Sequence, residues 1–181
     1  MKKITLFCMI TLSFCALAGC TKDKNEVSDS VESTGTNNWR MTGTYVDLGL
    51  SSGTKWKATN EVNETDAEYD FFTYDEAMNR FGNSLPTMGQ YEELIDECQW
   101  SWNGSGYNIT GPNGNSIILP ASGYRNCDGD VAEVEGVGEY WSSTLYAEST
   151  DNANLLHSVS GGMCIVHFPR CFGISVRLVQ K

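Results

Sequence analysis

The sequence has few charged residues, and basic residues are the scarcer kind. Charged residues make up 19% of the 181 residues, with 12 Lys and Arg against 23 Asp and Glu, and the formal net charge is −11. Binding of nucleic acid depends on clustered Lys and Arg that neutralise phosphates. No such cluster occurs in this sequence, so we expect no nucleic-acid partner.

Catalytic and metal-binding motifs are also scarce. The sequence has no H-E-x-x-H helix, no P-loop and no G-x-G-x-x-G loop. Its two histidines, His157 and His167, lie in predicted strands without partners at ligand spacing. We interpret both as exposed or hydrogen-bonded strand residues, and we expect no catalytic residue, metal or cofactor.

The long apolar run of the sequence is N-terminal. A basic Met1-Lys2-Lys3 start precedes about 15 apolar residues, fewer than the roughly 20 that span a bilayer. The run ends in L-A-G-C, which resembles a bacterial lipobox whose Cys20 accepts lipid. We therefore predict a signal peptide over 1–19 and lipidation of Cys20. The alternative is a plain signal peptide with an incidental cysteine.

Residues 20–42 are predicted to be the lipidated cysteine followed by a flexible polar linker. Val27 and Val31 are the only large apolar residues between 21 and 38, and such a segment cannot bury enough surface to fold. Acyl chains hold a protein on a membrane. We therefore expect a membrane partner through the lipid anchor, a cell-envelope location in the outer membrane, and display on the cell surface as a further step.

The remaining residues, 43–181, predict one α+β domain. Thr73 and Thr87 each begin a capping box ahead of an apolar stripe at helical spacing, and Gly82 stops the first helix. Later segments alternate as strands, among them 139–146, 153–159, 163–168 and 173–179. The predicted core includes these six residues: Leu94, Ile95, Ile118, Trp141, Ile174 and Val176.

Five blocks of this domain carry a resemblance to a known family. They are Y-V-D-L-G-L-S-S-G-T-K-W (45–56), S-L-P-T-x-x-x-Y-E-E-L-I (84–95), G-P-N-G-N-S-I-I-L-P-A-S-G-Y-R (111–125), Y-W-S-S-T (140–144) and G-I-S-V-R-L-V (173–179). In this order they resemble the Fibrobacter succinogenes major paralogous domain, which is abundant in Bacteroidetes lipoproteins. The resemblance implies a C-type-lectin-like fold, with two helices packed on mixed, mainly antiparallel strands. It implies no established activity.

Four cysteines follow Cys20, and they could form two disulfides in any of three connectivities. They are Cys98, Cys127, Cys164 and Cys171. Cys98 lies on the apolar stripe of the second helix and is interpreted as a small buried hydrophobe. A Cys164–Cys171 bridge would need a turn between His167 and Phe168, whereas Pro169 favours a later turn.

Two loops are the candidate ligand-binding segments. In the first, Asp128 and Asp130 resemble the start of an EF-hand, but Val131 and Val137 stand where that loop requires glycine and glutamate. We therefore predict a solvated acidic loop rather than a calcium site. C-type lectin folds gather such late loops on one face, which makes both aspartates candidate ligand contacts.

The second segment, 161–172, departs from the resembling family, in which it is Asn-rich and polar. Here it presents candidate contacts at Ile165, His167, Phe168 and Arg170, and aromatic and Arg anchors dominate interface energies. The departure resembles the mutated targets of diversity-generating retroelements. The alternative is an ordinary strand whose alternate residues face the core.

These features predict a non-catalytic binding module, displayed on the cell surface for adhesion or ligand capture. Its ligand would be an unknown protein or glycan. Two alternatives stay open: an enzyme related to the formylglycine-generating group, which the family resemblance brings in, and a structural envelope or fimbria-associated subunit.

Overall fold

A computed structural model describes residues 43–181, which belong to the compact unit Thr42–Lys181. The predicted signal peptide, Cys20 and linker 20–42 lie outside the described residues. In the described part, no helix combines the length and the apolar character that crossing a membrane requires.

The described residues form two α-helices, one short 3-10 turn and eleven strands. In chain order these are β1 (Tyr45–Asp47), β2 (Lys55–Lys57), α1 (Tyr74–Phe81), the 3-10 turn (Gly82–Ser84), α2 (Met88–Glu97), β3 (Gln99–Trp102), β4 (Gly106–Thr110), β5 (Ser116–Pro120), β6 (Tyr124–Arg125), β7 (Val131–Ala132), β8 (Val137–Leu145), β9 (Asn152–Val159), β10 (Gly162–Pro169) and β11 (Val179–Gln180).

Both predicted helices are confirmed, together with their capping boxes. The Thr73 hydroxyl accepts from the Glu76 backbone N–H, and the Glu76 carboxylate accepts from the Thr73 N–H, so two otherwise unsatisfied donors are paired. Thr87 and Gln90 repeat this arrangement at the start of α2. Gly82 ends α1 with φ of 49°, a conformation that favours glycine.

The strands pair antiparallel in small sheets, which confirms the α+β class with mainly antiparallel strands. The sheets have the orders β1-β2-β11, β10-β9-β8, β3-β4-β5 and β6-β7. Single parallel bridges, Gly123 to Gly138 and Tyr140 to Ser175, join segments between them. The sheet β10-β9-β8 carries the candidate site. Its three strands are the longest of the described residues, and they pair over most of their length.

The prediction of a strand over 173–179 is wrong for most of these residues. Regular pairing is confined to β11, and Ile174 and Ser175 form only single bridges to Phe72 and Tyr140. All seven residues are nevertheless buried. The segment passes between two hydrophobic clusters, so its backbone bonds to several neighbours in turn instead of following one strand.

The predicted core is confirmed at Leu94, Trp141, Ile174 and Val176, which are fully buried. It is wrong at Ile118, which is 50% exposed, whereas its neighbour Ile117 is 3% exposed. Side chains alternate across a strand, and the pairing of Ile109 with Ile117 turns Ile117 inward and Ile118 outward. Ile95 is only partly buried at the rim of the core.

Arg177 is the largest buried charged side chain among the described residues, and 1% of its surface is exposed. Its guanidinium donates to the carbonyls of Lys57, Ala58 and Ile118 at 2.8, 2.6 and 2.7 Å, and to the Asn60 side chain at 2.6 and 2.9 Å. This residue therefore ties the C-terminal segment to β5 and to the loop after β2.

Candidate functional site

A disulfide brings the two predicted ligand-binding segments together. Cys127 pairs with Cys171, with their Cα atoms 5.2 Å apart, although the two lie 44 positions apart in the sequence. Cys98 and Cys164 are thiols outside this bridge. The turn after β10 lies at Arg170 and Cys171, as the position of Pro169 predicts. The acidic loop 126–130 and the turn 169–172 thus form one surface, which we call the loop face.

Arg125 fixes the base of the loop face. Its backbone exchanges two hydrogen bonds of 2.8 Å with Gly173, beside the disulfide. Its guanidinium donates to both carboxylate oxygens of Asp66, at 2.7 and 2.8 Å. That hydrogen-bonded ion pair holds the pKa of Asp66 below its usual range. The loop face is therefore braced by a covalent bond and a bidentate ion pair.

Three aromatic side chains form a mutually contacting group beside the disulfide, which we call the aromatic triangle. The ring centroids of Tyr124, Phe168 and Phe172 lie 5.0 to 5.9 Å apart. All three are partly buried against one hydrophobic cluster and partly open to solvent. Partly exposed rings of this kind can pack against a sugar ring or an apolar side chain of a ligand.

The acidic loop is organised by its own asparagine. The Asn126 side-chain oxygen accepts from the backbone N–H groups of Asp128 and Asp130, at 3.0 and 2.9 Å. Both aspartates are exposed on the loop face. Among residues 43–181, no group of three or more His, Cys, Asp and Glu side chains is placed to hold a metal ion.

The four predicted contacts from 161–172 do not share one exposed surface. Side chains of β10 alternate, so Ile165 and His167 lie on one face of the sheet and Phe168 on the other. Ile165 packs against the core that contains α2. Only His167 of the four is exposed, and its ring stacks on Tyr146 with centroids 3.8 Å apart. The four candidate contacts therefore do not form one exposed set, and their role in ligand binding stays a prediction.

Arg170 is engaged within the domain. Its guanidinium forms an ion pair with Asp75 of α1, donates to the Thr150 carbonyl at 3.1 Å, and lies 5.3 Å from the centroid of the Tyr74 ring. These contacts attach the turn after β10 to the start of α1. Arg170 positions the loop face instead of projecting from it.

The sheet β10-β9-β8 also carries a buried acid, which was not predicted from the sequence. Glu139 of β8 is 1% exposed, and its Oε1 lies 2.8 Å from Nδ1 of His157 on β9. Burial raises the pKa of Glu139, whereas the hydrogen bond that His157 donates to Glu139 raises the pKa of His157. The prediction of a hydrogen-bonded strand histidine is confirmed for His157. The burial of Glu139 could have been predicted from strand alternation. Glu139 lies two residues from both Val137 and Trp141, so its side chain points to the same face of the sheet as theirs.

The other carboxylate oxygen of Glu139, Oε2, is buried and has no hydrogen-bond partner among the described residues. Tyr124 of the aromatic triangle lies close enough that Glu139 and Glu133 contribute to a raised pKa of its phenol, after burial as the main cause. The aromatic triangle and the Glu139–His157 pair are therefore neighbours on one side of the sheet β10-β9-β8.

One further serine pattern was not identified in the sequence. Residues 49–53 have the G-x-S-x-G spacing of a nucleophile elbow. Ser51, however, lies in the turn between β1 and β2, and its hydroxyl is hydrogen-bonded to Glu93 and Glu97 of α2. Neither of the two described histidines is among the hydrogen-bond partners of Ser51, so the pattern serves to attach the turn to the helix.

Comparison with known proteins adds no relative to this picture. No family model matches the sequence, and neither a curated protein nor a solved structure matches it.

Proposed function

We propose that this protein is a lipid-anchored binding module of a bacterial cell envelope, which captures a protein or glycan on its loop face. The domain would have a C-type-lectin-like fold, as the five sequence blocks suggest. The observation that carries the proposal is the Cys127–Cys171 disulfide, because it joins the two segments that sequence reasoning selected for ligand contact.

The disulfide supports both parts of the proposal. Disulfides form and persist in oxidising compartments, which agrees with export of the chain to the envelope. A covalent link between two loops also restricts their motion before binding, so that less conformational entropy is lost when a ligand arrives. A braced surface on a rigid scaffold is the arrangement that binding proteins use.

The chemistry of the loop face favours a neutral or basic ligand. The aromatic triangle offers apolar ring surface, and the exposed Asp128 and Asp130 offer carboxylate acceptors for hydroxyl or amino groups. The chain as a whole carries a formal charge of −11, which repels polyanions at a distance. Glycans and basic protein surfaces both meet these requirements.

Binding is tested by a glycan array and a pulldown of surface proteins, run side by side with the purified protein. We expect the double substitution Asp128→Asn and Asp130→Asn, combined with Phe168→Ala, to abolish capture. Val62→Ala is the matched control, because Val62 is 63% exposed outside the loop face. Capture that survives the loop-face variant, or turnover of a substrate by the domain, would overturn the proposal.

Removal of the disulfide tests the role of rigidity. For a loop of 44 residues, chain entropy predicts a cost of about 4 kcal/mol when the bridge is absent. We expect Cys127→Ser with Cys171→Ser to remain folded through its two cores and to bind more weakly. Unchanged affinity in a folded double variant would show that the bridge does not organise the binding surface.

A further inference from the structure

Three chemically reactive side chains lie in one row across the sheet β10-β9-β8. Cys164 on β10 pairs directly with His157 on β9, and His157 pairs directly with Glu139 on β8. Directly opposed residues of antiparallel strands have Cβ atoms about 4.5–5.5 Å apart and point to the same face. The row therefore brings a thiol, an imidazole and a carboxylate side by side.

The imidazole has a fixed orientation within this row. Its Nδ1 lies 2.8 Å from the Glu139 carboxylate, so Nε2 is the nitrogen left to exchange a proton with a neighbour. Glu139 is buried, so its carboxylate is shielded from solvent. Its Oε2 has no hydrogen-bond partner among the described residues, so His157 is the group that compensates the buried charge.

The other thiol of the domain provides an internal comparison. Cys98 is partly buried like Cys164, but its surroundings are different. Burial, with Glu97 and Glu93 nearby, raises the pKa of Cys98 to about 11. A thiol in such surroundings is almost entirely protonated at neutral pH and reacts slowly.

We propose that Cys164 is a nucleophilic thiol that undergoes exchange with low-molecular-weight disulfides, with His157 as its proton acceptor and Glu139 as the residue that positions His157. This activity is independent of ligand capture on the loop face. A thiolate is the reactive form of cysteine, and a neighbouring imidazole increases its population.

The exchange needs no reactant other than the small disulfide, because one S–S bond forms as another breaks. His157 takes the proton from the Cys164 sulfur, and the thiolate attacks one sulfur of the small disulfide. The new bond joins Cys164 to that sulfur while the original S–S bond breaks. The departing thiolate receives the proton from His157, so the products are a mixed disulfide on Cys164 and one small thiol.

Other titratable groups also face the row. Tyr124 approaches Glu139 from β6, and Glu133 lies close to Tyr124. The phenol of Tyr124 has a raised pKa, mainly through burial, so it stays neutral over the range in which His157 titrates. The pH dependence of exchange is therefore assigned to the Cys164–His157 pair.

The test uses the purified full chain and the aromatic disulfide 5,5′-dithiobis(2-nitrobenzoate) as the probe, with peptide mapping to assign each adduct to its cysteine. At pH 7 we expect Cys164 to react at least about tenfold faster than Cys98. Its rate should persist below pH 7, where an ordinary thiol becomes slow. Cys98→Ala is the matched control and should leave the rate at Cys164 unchanged.

Two variants distinguish activation of the Cys164 thiol by His157 from easier access of the probe to that thiol. His157→Asn should reduce the rate at Cys164 about tenfold at pH 7 and give it the pH profile of an ordinary thiol. Glu139→Gln should lower the pH at which His157 supports exchange. Near-ultraviolet circular dichroism identifies the variants that keep the fold. Equal rates at Cys164 and Cys98 in the parent protein, or a folded His157→Asn variant with an unchanged profile, would overturn the proposal.

Discussion

Replacement of Arg177 by Met should be among the most damaging single changes in the domain. The methionine matches the length of the arginine stem but donates no hydrogen bond, so the carbonyls of Lys57, Ala58 and Ile118 lose their side-chain donor. Each buried acceptor left without a partner costs about 1–3 kcal/mol. Release of a buried charge offsets part of that total. We therefore expect a loss of about 3–5 kcal/mol, a large part of the roughly 5–15 kcal/mol that stabilises a domain.

Urea unfolding, followed by fluorescence and extrapolated linearly to zero denaturant, measures this change. Arg80→Met is the matched control, because Arg80 is exposed and contacts the rings of Phe72 and Phe81 at 5.4 and 5.8 Å. Its loss should cost less than about 1 kcal/mol. If both variants lost the same small amount of stability, the hydrogen-bond network of Arg177 would not be a source of stability.

Three further predictions follow from the described residues and the sequence. Ile117→Ala should cost about 2–5 kcal/mol and Ile118→Ala less than about 0.5 kcal/mol in urea unfolding, because only the first side chain is buried; equal costs would contradict the assigned face of β5. Cys20→Ala should release the protein from the membrane fraction, as should globomycin, and unchanged processing in both would exclude lipidation. The raised pKa of His157 favours its protonated form in the folded state. The contribution of His157 to folding stability is therefore complete below its unfolded pKa of about 6.5 and is lost as pH rises through its folded pKa. The stability lost in His157→Asn should shrink with rising pH, and a loss that grows instead would contradict the pairing of His157 with Glu139.

The helices could be predicted from the sequence because their signals are local. Thr73 with Glu76, and Thr87 with Gln90, satisfy backbone donors within one turn, so no distant residue is needed to place these helix starts. The face of β5 could not be predicted in the same way. Ile117 and Ile118 are both apolar, and only the register with β4 decides which of them is buried.

The candidate site depends still more on long-range contacts. Cys127 and Cys171 are 44 residues apart, and four cysteines permit three pairings, so spacing alone could not choose between them. The Glu139–His157 pair depends on the register of β8 with β9. The disulfide joins the two predicted segments, but the sequence could not show which side chains within them point outward.

The alternation of β10 limits how far the segment 161–172 can vary without loss of the fold. His167 and Pro169 are exposed, so substitutions there leave both hydrophobic clusters intact. Ile165 and Phe168 pack against opposite clusters, and polar replacements at either position would remove buried apolar surface. A diversified binding surface on this scaffold would therefore concentrate its tolerated changes at His167, Pro169 and the acidic loop across the disulfide. Ile165 and Phe168 would stay apolar, because both side chains pack against the hydrophobic clusters of the fold.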